Sequence, residues 1–77
     1  MKRDLKTAFS KTLKDLRFKS GLSQQALADY SELERVYISK LERGLCMPSI
    51  ETIFKIAVVL EMKPSEFVQY LEKRYGK

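Results

Sequence analysis

Hydrophobic positions in this chain recur at helical spacing, and nowhere do they alternate as a strand would require. Leu5, Ala8, Phe9, Thr12, Leu13 and Leu16 line one side of a segment predicted to be helical from about Asp4 to Lys19. Gly21 follows in the position of a C-terminal cap, and Ser23 stands as the N-cap of a second helix, Gln24 to about Tyr30. The short gap SEL leads to a third helix, about Glu34 to Arg43, closed by Gly44. After the loop GLCMP, Ser49 caps a fourth helix, IETIFKIAVVL, with Glu51 in its first turn, where a negative charge suits the dipole. Apolar residues nearly surround this helix, so it is expected to be buried on several sides, at the centre of the domain or also of a dimer. Pro64 opens a fifth helix at a position that tolerates a missing N–H, although Lys63 before it is a poor N-cap. Phe67 and Leu71 make one stripe there, while Val68, Tyr70 and Tyr75 point elsewhere and predict a dimer contact. Five helices and no strand give an all-α fold.

Size and composition narrow the function classes. Seventy-seven residues make one domain at most, with little core to spare. The net charge of +5 is unevenly placed: residues 1–20 carry seven Lys or Arg against two Asp, while the rest of the chain is nearly balanced. Such a surplus fits nucleic acid, an anionic surface, or a merely solvated helix. A single cysteine, Cys46, and no histidine exclude an internal disulfide framework and leave zinc or nucleophile–histidine chemistry without its groups. Glu32, Glu34 and Glu42 supply carboxylates, but no base or metal cluster accompanies them, so no enzyme is expected. The basic N-terminus has no apolar run behind it and is not read as a secretory signal, and no stretch approaches a membrane span. The expectation is a cytoplasmic protein with no cofactor, no metal, no small-molecule ligand and no membrane partner.

Two short helices joined by a tight turn, about residues 24–43, make a helix-turn-helix pattern. Ala28 is small enough to let the third helix cross closely, and Leu27, Leu33, Ile38 and Leu41 supply the inner face. The outer face of the third helix carries Arg35, Val36, Tyr37, Ser39 and Lys40, side chains a core does not need. In this motif the second helix enters the major groove, and residues near its N-terminus meet base edges.

The stretch LSQQALADYSELERVYISKLERGLCMPSIETIFKIA resembles the helix-turn-helix domain of the Cro and phage-repressor superfamily, the XRE-like proteins. The resemblance covers about residues 9–71 and rests on LSQ-x-x-LA, YISKLERG and PS-x-x-x-x-x-KIA in combination. It implies a five-helix, lambda-repressor-like DNA-binding domain over residues 1–77, with helices four and five, about residues 49–75, serving core and dimer contact. By position it implies that Arg35, Val36 and Lys40 read bases and that Gln24, Tyr37, Ser39 and Arg43 contact the DNA backbone, Gln24 also supporting the recognition helix. For Tyr37, a partly buried packing ring is an equal alternative. Arg17 and Glu42 match a structural ion pair between helices one and three.

Three positions depart from the family pattern. Glu32 stands where glycine is common and costs about 1 kcal/mol if its φ is positive. Glu34 stands where Ser or Thr is usual, and is expected to pair with Arg35 or to stabilise the helix start, in preference to accepting a bond from cytosine. Cys46 replaces a basic residue and puts one phosphate contact in doubt.

The function implied is a sequence-specific transcriptional regulator: a homodimer on double-stranded DNA at a palindromic operator, autoregulatory and without a sensor domain. The size, the LERVYIS segment and the added fifth helix resemble the controller proteins of restriction–modification systems; small phage or mobile-element repressors are nearly as similar. An antitoxin whose apolar surplus binds a toxin is one alternative, separable by co-purification. A helical protein-interaction module is another, which would place a larger apolar patch on the third helix.

Overall fold

The structure, a computed structural model, describes residues 4–76 as five α-helices: α1 (Leu5–Lys19), α2 (Gln24–Ser31), α3 (Arg35–Glu42), α4 (Ile50–Val59) and α5 (Pro64–Tyr75). The caps follow local chemistry. Asp4 accepts from the Lys6 N–H at 3.1 Å and from the Thr7 hydroxyl at 2.9 Å, and the hydroxyl bond holds its carboxyl below the usual range. Ser23 and Ser49 accept the N–H groups of Ala26 and Thr52 at 3.0 and 3.1 Å. At α5 the Lys63 side chain caps nothing; Glu66 reaches back to the Lys63 N–H at 2.7 Å instead.

Each helix packs on two others in a closed ring: α1 on α3, α3 on α2, α2 on α4, α4 on α5 and α5 on α1. Phe9, Leu13, Leu27, Ile38, Leu41, Ile56 and Phe67 fill the middle, with the Phe9 and Phe67 rings 5.6 Å apart. Two expectations need correction. Leu5 overhangs the start of α1 and is exposed, because its helix begins one turn before the core. α4 is not the centre: Thr52, Ile56 and Ala57 are buried, but Ile50, Phe54 and Val58 are 68%, 54% and 70% exposed. At about 100° per residue these three fall within one arc of about 80°, which no other described residue covers.

Helices α1 to α4 end in the same turn, with a left-handed residue at Gly21, Glu32, Gly44 and Glu61. In each, the next residue donates its N–H back to the last turn, as Leu33 does to the Ala28 carbonyl at 2.9 Å. Glycine adopts this conformation freely, whereas Glu32 (φ 61°) holds it with a side chain. Glu32→Gly is expected to raise stability by about 0.5–1 kcal/mol, a gain of about 2–8 °C in melting temperature. A lower melting temperature would show that the Glu32 side chain contributes more than its backbone costs.

Candidate nucleic-acid interface

α2 and α3 are joined by Glu32, Leu33 and Glu34 alone, so the left-handed turn at Glu32 sets the direction of α3. Ala28 is fully buried, as a close crossing requires, whereas Leu33 is only half-buried against the core. α3 turns Ile38, Leu41 and Glu42 inward. Helical periodicity puts Arg35, Val36, Ser39, Lys40 and Arg43 on one outward arc of about 140°. Arg35, Val36, Lys40 and Arg43 are exposed, and Ser39 is half-exposed. Tyr37 lies at the edge of this arc, its ring packed on the core and its hydroxyl 3.3 Å from Thr52 Oγ1, which also accepts from Ser49 at 3.0 Å. Cys46 is half-buried against the core.

The arc is fixed to the scaffold through a hydrogen-bond chain. Arg17 and Glu42 are both buried and meet side by side, Nε to Oε2 at 2.5 Å and Nη2 to Oε1 at 2.9 Å. The third corner of the guanidinium donates to the Leu22 carbonyl at 2.8 Å, and its carbon lies 4.7 Å from the Phe18 ring centre. The Glu42 hydrogen bonds hold Arg17 above its ordinary range against the opposing effect of burial, so it stays charged. Gln24 then donates to Glu42 Oε1 at 3.1 Å and accepts from Arg35 Nη1 at 3.3 Å. Because Glu42 takes the amide nitrogen, the amide oxygen is the end left for Arg35. Sequence reading did not find this link: Gln24 and Arg35 are eleven residues apart, and no local pattern joins them.

Of the two roles expected of Glu34, the pairing with Arg35 is not formed. Glu34 occupies the N-cap of α3 (φ −80°, ψ 143°), yet its side chain makes no capping bond. Arg35 is turned to Gln24 and not to Glu34. Among the described residues the Glu34 carboxylate has neither a hydrogen bond nor an ion pair. Its charge still suits the positive end of the helix dipole. With Glu32, Leu33, Val36, Tyr37 and Lys40 it lines an open concavity of about 450 Å³.

The three residues expected at a dimer contact do not share a face. Val68 and Tyr75 lie within about 20° of each other around α5, whereas Tyr70 is about 160° from Val68, on the side where Arg74 pairs with Asp15 of α1. Among the described residues no group of three or more His, Cys, Asp or Glu could hold a metal ion, and no helix is long and apolar enough to cross a membrane.

Comparison with known proteins agrees with this architecture. The family profile described as helix-turn-helix matches residues 13–67. The chain is 32% identical over 71 residues to control protein C.BamHI of Bacillus amyloliquefaciens, covering 91% of this chain and 88% of that one. To control protein C.MunI of Mycoplasma sp it is 37% identical over 71 residues, covering 91% and 96%. Restriction-modification controller protein C.Esp1396I, crystallised as a tetramer in complex with its natural 35 base-pair operator, superposes with a TM-score of 0.87 at 32% identity, over 99% of this chain and all of that one. With five helices in this order and a profile match across its middle, the chain belongs to the XRE-like helix-turn-helix family, alongside the control proteins of restriction–modification systems.

Proposed function

We propose that this protein is a sequence-specific DNA-binding transcriptional regulator that acts as a homodimer on a roughly palindromic operator and controls its own gene. The observation that carries the reading is the outward arc of α3, where three cations and a small apolar side chain stand on a helix braced by the Arg17–Glu42 pair. Arg35 and Lys40 suit the acceptors of guanine, and Val36 suits a thymine methyl. Ser39 and Arg43 on the arc, with Gln24 and Tyr37 beside it, suit phosphates, which set register. Two such helices related by a twofold axis reach successive major grooves about 34 Å apart. The reading needs no cofactor, no catalysis and no location other than the cytoplasm.

A second copy of the chain fits the bare stripe on α4. Ile50, Phe54 and Val58 are spaced evenly about Phe54, so two antiparallel copies of α4 pair Ile50 with Val58 of the other copy across a twofold axis. The Glu51–Lys55 ion pair flanks the stripe and gives it a polar rim. Val68 and Tyr75 add apolar surface on α5. Phe54→Lys is expected to raise the dimer dissociation constant at least tenfold by sedimentation equilibrium, with the melting of the monomer unchanged. If Tyr70→Lys dissociates the dimer and Phe54→Lys does not, the contact lies on the other side of α5.

The deciding experiment is titration of the protein with DNA from just upstream of its own gene, against a scrambled duplex, at several salt concentrations. A dimer with six to eight phosphate contacts gives a log–log slope of about −5 to −7, together with a strong preference for the upstream duplex. No binding even at low salt would refute the reading.

A further inference from the structure

We infer that Glu34 is a specificity-determining residue that selects cytosine in the operator. The inference rests on the proposed DNA reading. Three observations carry it. First, Glu34 is at the N-terminus of the outward helix, the end that meets base edges, but spends no oxygen on capping. Second, two cations of the same helix leave it alone: Arg35 bonds Gln24, and Lys40, which lines the same concavity, forms no ion pair among the described residues. Third, the concavity has Leu33, Val36 and the edge of Tyr37 for walls, so a base edge entering it displaces water from the carboxylate.

A bare carboxylate in the major groove is repelled by phosphates and by the acceptors of guanine and thymine. Only two groups there offer it a proton donor, the amino groups of cytosine and adenine. Adenine sets its N7 acceptor beside its amino group, which opposes a carboxylate. Cytosine has no acceptor of its own on that edge. The guanine across the pair presents N7 and O6, within the chemistry of Lys40. Glu34 therefore works chiefly by exclusion: wrong bases leave a buried negative charge facing lone pairs.

The test is selection from a library of duplexes randomised across one half-site, with the wild-type protein, Glu34→Gln and Glu34→Ala, followed by titration of the selected duplexes. In the wild type, cytosine at one position is favoured by about tenfold over the other bases. Glu34→Gln, which can both donate and accept, shifts that position toward adenine, and Glu34→Ala levels it. Glu32→Gln, a carboxylate in the same concavity but in the turn, leaves the profile as it was. An identical base profile in all four proteins, with affinity raised uniformly, would overturn the inference and reduce Glu34 to a charge at a helix start. A wild type with no base preference anywhere would instead overturn the DNA reading on which it rests.

Discussion

Glu42→Ala is expected to cost about 3–5 kcal/mol of folding stability. A chain of 77 residues has roughly 4–12 kcal/mol in total, so this one side chain decides whether the protein is folded at 37 °C. The reason is geometric. Glu42 is 3% exposed and Arg17 is 7% exposed, so removing the carboxylate leaves a buried guanidinium with only the Leu22 carbonyl and an aromatic face. Gln24 loses its acceptor at the same time. Arg17 is held above its ordinary range, and a raised value means that its contribution is complete below the unfolded value and is lost only above the folded one. No accessible alkaline pH therefore breaks the pair. Urea unfolding followed by circular dichroism measures the loss. Replacing both partners with apolar residues, Arg17→Met with Glu42→Leu, should recover most of it, since it removes the unpaired charge. A cost below about 1 kcal/mol for Glu42→Ala would mean that water reaches Arg17 and that the pair behaves as a surface ion pair.

Arg35→Ala is expected to weaken operator binding by about 1–3 kcal/mol in each half-site. For a dimer engaging two half-sites that is a fall of roughly thirtyfold to twenty-thousandfold in affinity. Binding to scrambled DNA should fall far less, because only one charge per subunit is lost. The contrast between the two duplexes is the measurement, by gel shift or fluorescence anisotropy at one salt concentration. Equal losses on both would move Arg35 from base reading to phosphate contact. Gln24→Ala should reproduce part of the effect without touching a base, since Arg35 then loses the amide oxygen that holds it.

Much of this was legible in the chain because its signals are local. Ser23, Ser49 and Pro64 mark helix starts, and Gly21 and Gly44 mark ends, through chemistry confined to one turn. The positive φ at Glu32 was raised by the family pattern, which commonly has glycine there, but the matching turn at Glu61 carried no glycine and no motif. α4 was misjudged for a physical reason. Counting apolar residues around a helix says nothing about whether a neighbour exists to cover them, and α2 and α5 cover only one side. Val68, Tyr70 and Tyr75 were grouped by type, whereas their register separates Tyr70 from the other two. Gln24 joining Glu42 to Arg35, and Glu34 left without a partner, depend on where side chains converge in space. Neither is written in any window of the sequence.

The stripe on α4 also shapes how such a regulator would respond to dose. A standard interface buries about 800 Å² on each partner. Three apolar side chains make a small contact by that measure, so monomers dominate when the protein is scarce. Occupancy of a two-half-site operator then rises with the square of protein concentration. Doubling the protein quadruples the bound dimer in that regime, and the response sharpens from a hyperbola to a threshold. A tighter interface would flatten it. The modest size of the stripe is thus what would let a regulator of this kind behave as a switch through its concentration alone.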